Sequence, residues 1–160
     1  MPTYFGIFYG FIVPFIYYHN GDGALYQTGW LIDKVRICGT YQTDLDFEYK
    51  LSCYIDYSDK AFRNISLINT KENKFLKTLE RLKLTKPITY KELSVLSGNT
   101  SKFGAIHTGT ALRNNLFPLI IPCHMIVGKK NIGGYLGKTA SDSIQLKLKR
   151  KLIQLENLRS

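Results

Sequence analysis

A cysteine and a histidine stand side by side in one of the most apolar stretches of the chain. Cys123 and His124 follow Pro122 in the string PLIIPCHMIVG, which covers residues 118–128. A thiolate is a good nucleophile, but a thiol of pKa about 8.5 is mostly protonated at neutral pH and needs a nearby base or charge. Histidine is the side chain that most often serves as such a base. The pair therefore suggests nucleophilic chemistry at Cys123.

Two structural explanations compete with that hypothesis. A cysteine in an apolar run is more often a packing residue, and adjacent side chains on extended backbone point to opposite faces. The second alternative is that Cys123 and His124 supply half of the ligands of a metal site, but no CxxC or HxxxH spacing supports it. The other cysteines and histidines are isolated along the chain: Cys38, Cys53, His19 and His107. We therefore predict no metal and no cofactor.

Charge is distributed unevenly along the 160 residues, which carry a net charge of +10. Residues 1–69 contain five Lys and Arg against seven Asp and Glu, whereas residues 70–160 contain seventeen against five. Because each basic side chain that meets a phosphate releases a counterion, this surplus favours a polyanionic partner. A charge that only maintains solubility is the alternative. We expect two domains, divided between residues 69 and 70.

The first part of the chain has a β pattern. Aromatic and β-branched runs extend from Tyr4 to Ile37 and are separated by glycine-containing turns. Residues 45–57 fit either another strand or a short helix. This predicts a small sheet with at most one helix, and residues 64–70 (NISLINT) are the expected linker.

The apolar run from Tyr4 to Tyr18 is too short and too interrupted to cross a bilayer, and it lacks the features of a signal peptide. We therefore expect no membrane association. Three cysteines without a secretion signal indicate a reducing compartment. Cys38 and Cys53 are predicted to be core thiols, and the sequence leaves open whether a disulfide joins them.

The second part changes to a helical period. Phe75, Leu76, Leu79 and Leu82 fall on one face of a helix, and Pro87 ends that segment. Thr89 and Glu92 then form a capping box, which predicts a second helix up to Gly98. A third helix is expected from Lys102 to Asn114. Two short helices joined by a turn on a basic background indicate a helix-turn-helix.

The tail from Ser141 to Leu158 also has helical spacing. Its apolar stripe consists of Ile144, Leu148, Leu152 and Leu155. A basic cluster is expected on the opposite face and comprises Lys147, Lys149, Arg150 and Lys151. A glycine-rich loop, residues 128–137, precedes this tail.

The string GTALRNNLFPLIIPCHMIVGKKNIGGYLG, residues 109–137, closely resembles the active-site segment of the O6-alkylguanine-DNA alkyltransferases. The family reads G-x-A-x-R-x-N-P-x-P-x-x-x-P-C-H-R-V, followed by a G-G-Y loop. The matching positions are Gly109, Ala111, Arg113, Asn115, Pro118, Pro122, Cys123, His124, Gly133, Gly134 and Tyr135. The resemblance implies an α+β fold, with a ribonuclease H-like β-sheet domain over 1–69 and a winged helix-turn-helix domain over 70–160.

The resemblance also implies a reaction. Family members take the alkyl group from O6 of a damaged guanine onto their cysteine in one irreversible step, so each molecule acts once. Cys123 matches that cysteine, and O4-alkylthymine is a second candidate substrate. In the family a histidine reaches the cysteine through an ordered water, and a glutamate holds the other nitrogen of that histidine. His124 and Glu156 match these positions, although the loop before the final helix is longer here.

The same resemblance implies that double-stranded DNA is the partner and that the guanine is flipped out of the stack. Tyr90 matches the tyrosine that contacts the flipped nucleotide, and Asn115 matches the asparagine that braces the active-site turn. Pocket positions are matched by Pro118, Ile126, Tyr135, Leu136 and Gly137. The third helix is expected in the minor groove, with DNA contacts from Lys102, Ile106, His107, Gly109, Thr110, Ala111 and Arg113.

Two positions depart from the family pattern. Met125 stands where the family has an arginine that ties the two domains together. Ile106 stands where the family has an arginine finger that fills the space left by the flipped base, and the preceding turn is longer. An apolar wedge can still unstack a base step, but it lacks the charge, for which Lys102 or His107 are candidate substitutes. We therefore expect weaker DNA affinity or slower repair than in typical members.

Two other functions compete with DNA repair. Alkyltransferase-like proteins bind lesions without repairing them, but they replace the cysteine that this chain retains at position 123. A thiol hydrolase using Cys123 and His124 would lack a recognisable oxyanion loop and would leave the basic helices unexplained. We expect a monomeric methyltransferase located in the cytoplasm of a prokaryote, with the nucleoid, or in the nucleus of a eukaryote.

Overall fold

A computed structural model describes residues 3–68 and 73–157 of the chain. The chain divides into two compact units, Met1–Thr70 and Lys71–Ser160. The domain boundary predicted between residues 69 and 70, and the end of the predicted linker, lie outside the described residues.

The first unit is a four-stranded sheet with one α-helix. The strands are β1 (Tyr4–Phe8), β2 (Phe15–His19), β3 (Leu25–Trp30) and β4 (Thr40–Tyr41). Their order is β3-β2-β1-β4, with antiparallel pairs except for the parallel pair of β1 and β4. This confirms the predicted small sheet with at most one helix among the described residues.

The segment 45–57, which fitted either a strand or a helix, forms helix α1 (Leu45–Tyr57). The side chain of Asp44 accepts a hydrogen bond from the Phe47 amide and so caps the helix N-terminus. The helix buries Phe47, Leu51 and Tyr54. Spacings of three and four residues put these side chains on one face of a helix.

The cysteines of the first unit are free thiols. Cys38 is exposed and Cys53 is half-buried, so the prediction that both are core residues is wrong for Cys38. Cys38 lies in the irregular segment between β3 and β4. The disulfide that the sequence left open is not formed.

The described residues of the second unit form four α-helices: α2 (Lys74–Arg81), α3 (Tyr90–Leu96), α4 (Gly104–Arg113) and α5 (Ile144–Asn157). Two short parallel strands, β5 (Ile88–Thr89) and β6 (Ile126–Val127), pair with Ile88 opposite Ile126. All four helices lie within the segments that the sequence predicted. None of the helices in the described part of the chain combines the length and apolar character that a bilayer crossing requires.

Local signals explain where α3 and α4 begin and how closely they pack. Thr89 and Glu92 form the predicted capping box, with the Thr89 amide donating to Glu92 over 2.6 Å and the Glu92 amide donating to Thr89 over 3.1 Å. α4 begins at Gly104, later than predicted, because Lys102 and Phe103 form the end of the turn. A Cβ at Gly104 would collide with the Ser94 hydroxyl on α3, so glycine permits this close approach of the two helices.

Candidate active site

A short buried turn carries the cysteine. Cys123–Met125 form a single 3-10 turn after Pro122, and both Cys123 and Met125 are buried. Leu119, in the preceding loop, has a left-handed backbone with φ of 76° while its side chain is fully buried. Such a conformation is unfavourable for leucine and persists only where the surrounding structure enforces it.

Asn115 helps to hold the loop around Leu119 in this conformation. Its side-chain nitrogen donates to the Ile121 carbonyl over 3.0 Å, and its side-chain oxygen accepts from the Phe117 amide over 2.9 Å. The side chain therefore spans both ends of the loop that leads to Cys123. It also hydrogen-bonds to the thiol, which favours the thiolate form.

A cavity of about 220 Å³ opens beside Cys123. This volume lies below the range of about 300–1,000 Å³ for drug-sized ligands, so it suits one compact flat group. The thiol-bearing residue is 7% exposed and forms part of the wall. The other lining residues are Tyr90, Ala105, Gly109, Leu112, Arg113, Asn115, Pro118, Gly134, Tyr135, Leu136, Gly137, Lys138 and Thr139.

The residue next to Cys123 contacts the final helix. His124 Nε2 lies 2.9 Å from Glu156 Oε1, and both side chains are almost fully buried. Glu156 reaches this position from the last turns of α5. A buried carboxylate needs a hydrogen-bonding partner, and the imidazole provides one. The structure therefore brings together the two residues that sequence similarity had paired across 32 positions.

Sequence reasoning missed the buried cation of the site. Lys149 was placed in a basic cluster opposite the apolar stripe of the helix, but its side chain is fully buried, so this placement is wrong. Its ammonium donates to the Ile126 carbonyl over 2.6 Å and to the Gly134 carbonyl over 2.9 Å. The spacing could have predicted this burial, because Lys149 precedes Glu156 by two helical turns and therefore lies on the same inward face of α5.

Burial and charge oppose each other at these ionisable groups. Burial raises the pKa of the Cys123 thiol, whereas the Asn115 hydrogen bond and the positive charge of Lys149 lower it. Burial also lowers the pKa of Lys149 to about 8, and a thiolate at Cys123 would raise it. The resting thiol is therefore protonated at neutral pH, and its ionisation has to be coupled to proton removal.

Tyr90 connects the cavity to helix α3. Its hydroxyl donates to the Gly134 carbonyl over 3.1 Å, and the Lys149 ammonium lies 5.6 Å from its ring centroid. Burial is the main cause that raises the pKa of the Tyr90 hydroxyl, and the nearby Cys123 raises it as well. The hydroxyl therefore stays protonated at neutral pH and can act as a hydrogen-bond donor at the cavity wall.

Helix α4 carries the remaining predicted DNA contacts. Gly109 and Arg113 line the cavity, whereas Ile106, His107 and Thr110 are exposed outside it. His107 Nδ1 lies 3.2 Å from Asn99 Nδ2. The Lys102 ammonium lies 5.0 Å from the ring centroid of Phe103.

Ile126 and Ala111 are further predicted site residues that do not line the cavity. Ile126 was expected in the pocket, but it is fully buried in β6 and contributes its carbonyl to Lys149 instead. Ala111 is half-buried, and its carbonyl accepts from the Asn73 side chain over 3.4 Å. Sequence reasoning also omitted five lining residues: Ala105, Leu112, Gly134, Lys138 and Thr139. Over the residues that the structure describes, no cluster of three metal-ligating side chains occurs.

Known proteins share both the sequence and the fold. Residues 70–158 match the family described as 6-O-methylguanine DNA methyltransferase, DNA binding domain. The methylated-DNA–protein-cysteine methyltransferase of Sulfurisphaera tokodaii is 33% identical over 118 residues, which are 71% of this chain and 67% of that protein. The corresponding protein of Metallosphaera sedula is 32% identical over 129 residues, or 79% of this chain and 71% of its own.

Solved structures extend the similarity to the whole fold. The Mycobacterium tuberculosis O6-methylguanine methyltransferase superposes with a TM-score of 0.76 at 18% identity, covering 99% of this chain and 94% of that one. The same protein in complex with DNA gives a TM-score of 0.76 at 20% identity, covering 98% and 94%. At these identities the likeness establishes the mixed α+β, two-domain fold.

The fold and the cavity together define a class of protein: an α+β protein whose basic helical unit carries a buried cysteine in the wall of a small cavity. The matched family narrows this class further. The chain belongs to the O6-methylguanine DNA methyltransferase family.

Proposed function

We propose that this enzyme repairs duplex DNA by moving the alkyl group of O6-alkylguanine onto Cys123 in a single turnover. The observation that carries the proposal is the position of the thiol in the wall of a cavity of about 220 Å³, with the buried His124–Glu156 pair attached to the same turn. A cavity of this size suits one flipped base. Because a base in a duplex is stacked, entry requires that the nucleotide rotate out of the helix.

The transfer is a displacement at the alkyl carbon. The sulfur–carbon bond forms as the bond from carbon to O6 breaks, and the electron pair stays on the guanine. Because His124 Nε2 faces Glu156, a relay through water to the thiol has to use Nδ1. The thiol releases one proton and the guanine takes up one proton, so the step needs no acid or base from outside the site. The thioether product is stable, which makes the reaction irreversible.

The groups around the cavity have distinct roles in this proposal. Glu156 stabilises the imidazolium that forms when His124 takes the proton. Lys149 and Asn115 favour the thiolate. The Tyr90 hydroxyl donates to the base once it turns away from the Gly134 carbonyl, which keeps its hydrogen bond from Lys149. Exposed basic residues near the cavity mouth, among them Lys102, Arg113 and Lys138, meet the phosphates.

We further propose that the enzyme acts as a monomer and in the compartment that holds the DNA, the prokaryotic cytoplasm or the eukaryotic nucleus. The cavity wall and the His124–Glu156 pair are complete within the second unit, so the site needs no residue from a partner, which supports a monomer. O4-alkylthymine is proposed as a second substrate, because the displaced oxygen occupies a similar place on a pyrimidine ring.

Mass spectrometry tests the transfer. The protein is incubated with duplex DNA that contains one O6-methylguanine and is then digested. We expect one added methyl group on the peptide that contains Cys123, and none in a Cys123→Ser variant. Cys38→Ser is the matched control, because Cys38 is an exposed free thiol and should remain unmodified in the wild type. Methylation of Cys38 instead, or lesion binding without any methylation, would contradict the proposal.

A further inference from the structure

The first unit carries a second cavity, on the face of its sheet that lies away from α1. Tyr17 packs against Phe47 of α1 with ring centroids 5.0 Å apart, so its strand neighbours Ile16 and Tyr18 point to the other face. The irregular residues 31–39 join β3 to β4, and we call them the cover segment. A cavity of about 990 Å³ is lined by residues of this other sheet face and by residues of the cover segment.

This second cavity has the size and the chemistry of a small-molecule site. Its volume lies at the upper end of the range of about 300–1,000 Å³ that such sites span. None of the lining residues that the structure describes carries a carboxylate. The side chains that can bind a ligand by hydrogen bonds, charge or stacking include those of Thr3, Tyr18, Tyr26, Gln27, Arg36 and Thr40.

A glycine inside β3 keeps the floor of this cavity open. Gly29 stands opposite Ile16 in the ladder, so a side chain at Gly29 would lie on the cavity face of the sheet. A Cβ there would make only an ordinary contact, 3.6 Å from the Ile16 side chain, which is its nearest described neighbour. Packing therefore does not require glycine at this position. Glycine weakens the interior of a strand, and in such a place it often marks the close approach of a ligand.

Arg36 supplies a positive charge to the wall of the cavity. Its side chain is exposed on the cover segment, and none of the residues that the structure describes pairs with its guanidinium. A guanidinium binds a phosphate through two parallel hydrogen bonds, which a lysine ammonium cannot form. Because the described wall holds this cation and no carboxylate, the cavity favours an anion over a metal ion or an amine.

Two tyrosines add a hydrogen-bond donor and an aromatic surface. The Tyr18 hydroxyl accepts a hydrogen bond from the Cys38 amide, which ties the cover segment to the sheet. Burial raises the pKa of that hydroxyl, and the nearby Cys38 thiol raises it as well, so the hydroxyl keeps its proton at neutral pH and can donate to a ligand. Tyr26 is a second half-buried tyrosine of the wall, and a tyrosine ring is a surface on which a planar base stacks.

We propose that this cavity binds a purine nucleoside monophosphate, with the base above Gly29 and the phosphate on Arg36. The flat base needs the open floor and an aromatic neighbour, and the sugar hydroxyls match the polar side chains of Gln27 and Thr40. An apolar ligand would leave these polar groups without partners, and a simple anion would leave the floor empty. Every lining residue belongs to the first unit, so the site goes beyond the proposed repair reaction and does not depend on it.

Calorimetric titration of the full-length protein with adenosine 5′-monophosphate tests the site. We expect saturable binding at one site, and Arg36→Gln should weaken it about tenfold or more, because a charged hydrogen-bonding group is lost. Lys34→Gln is the matched control, since Lys34 is an exposed cation of the cover segment that does not line the cavity. Gly29→Val should abolish binding by filling the floor. Valine suits a strand, so the melting temperature of Gly29→Val should not fall below that of the wild type.

The free thiol of Cys38 gives an independent measurement, because Cys38 is exposed and lines the cavity. Adenosine 5′-monophosphate at saturation should slow the labelling of Cys38 by iodoacetamide. Labelling of Cys53 serves as the control within the same molecule, since Cys53 lies on α1 and does not line the cavity. Its labelling rate should not change.

Adenosine and inorganic phosphate separate this ligand from simpler ones. If adenosine bound as tightly as the monophosphate, Arg36 would hold no phosphate, and if phosphate alone bound as tightly, the site would be a simple anion site; either result overturns the proposal. So does an absence of binding together with unchanged labelling of Cys38. Weaker binding in Arg36→Gln and loss of binding in Gly29→Val, with wild-type binding in Lys34→Gln, supports it. Equal loss in all three variants would show a general effect of substitution and would overturn it.

Discussion

The imidazole of His124 and the carboxylate of Glu156 lie 2.9 Å apart, and water reaches neither side chain appreciably. The pair joins the cysteine turn to α5, the last helix of the second unit. An ion in such surroundings is costly unless a partner offsets it. The carboxylate therefore favours a positive charge on the imidazole at the moment when the thiol loses its proton.

Glu156→Gln should slow methyl transfer by about 10²-fold or more, within the range for lost acid–base assistance. The amide can still accept a hydrogen bond from the ring, but it carries no charge to stabilise the imidazolium. The measurement is the single-turnover rate on duplex DNA at neutral pH. Glu80→Gln makes the same change at an exposed site on α2 and should leave the rate unaltered. Equal rates for Glu156→Gln and the wild type would exclude this role of the carboxylate.

Lys149→Met should shift the pH dependence of repair to higher pH. The positive charge of Lys149 lowers the pKa of the Cys123 thiol, so its removal raises that pKa further. At neutral pH less thiolate forms, and a shift of one pKa unit would cost about tenfold in rate. Because the pKa of Lys149 is about 8, the wild type itself loses this charge at higher pH. The difference between the two proteins should therefore be large below pH 8 and shrink above it.

Rate profiles from about pH 6 to 9 check this prediction. Lys147→Met is the control, because Lys147 is exposed on the same helix and two residues away. A Lys149→Met profile that is uniformly lower, with no displacement along the pH axis, would indicate a packing role for Lys149 and no electrostatic effect on the thiol.

Much of the second unit could be predicted from its sequence, because its helices are amphipathic and carry clear capping signals. The capping box of Thr89 and Glu92 predicts the start of α3 from residue types alone. Lys149 was misassigned for an equally physical reason: lysine is rarely buried, and its hydrogen-bond partners are backbone carbonyls of β6 and the glycine loop. Every residue has a backbone carbonyl, so residue types cannot show which carbonyls accept these hydrogen bonds.

The first unit was less predictable. Residues 45–57 mix alternating and helical spacing, and the choice of helix depends on the Asp44 cap and on a core shared with the sheet. Cys38 was expected inside because cysteine is usually buried, but the long irregular connection to β4 leaves it exposed. In the site, similarity pointed to Cys123 and to most of the cavity wall. It missed Ala105, Leu112, Lys138 and Thr139, which come from segments that meet only in the fold.

Asn115→Ala should lower both stability and activity. The change leaves the Phe117 amide and the Ile121 carbonyl without the side chain that bridges them, which should cost about 1–3 kcal/mol in the free energy of unfolding. The thiol also loses a hydrogen bond that favours its ionised form, so repair should slow even under conditions where the variant is fully folded.

Denaturant unfolding and single-turnover rates measure the two effects of that change. Asn114→Ala is the adjacent control, because the Asn114 side chain is exposed and makes only a 3.4 Å contact to the Thr110 carbonyl. If the two variants proved equally stable and equally active, the bridge across the cysteine loop would have no energetic importance.

Gly133→Ala should disturb the cavity wall through Tyr90. Gly133 has a left-handed backbone with φ of +71°, and a Cβ there would lie 2.7 Å from the Tyr90 ring. The ring would have to move, which breaks the 3.1 Å hydrogen bond from its hydroxyl to Gly134 and displaces one wall of the cavity. We expect the repair rate to fall about tenfold or more, the kind of loss that misplacing a substrate-positioning group causes.

Gly98→Ala isolates the backbone contribution, because Gly98 has a similar φ of +75° and a Cβ there would meet nothing within 4 Å. Both variants should lose about 1–2 kcal/mol of stability from the left-handed conformation. Only Gly133→Ala should also lose activity, since only its methyl group reaches a residue of the cavity. A Gly98→Ala variant that loses as much activity as Gly133→Ala would show that backbone strain in the second unit, and not the contact with Tyr90, limits the repair rate.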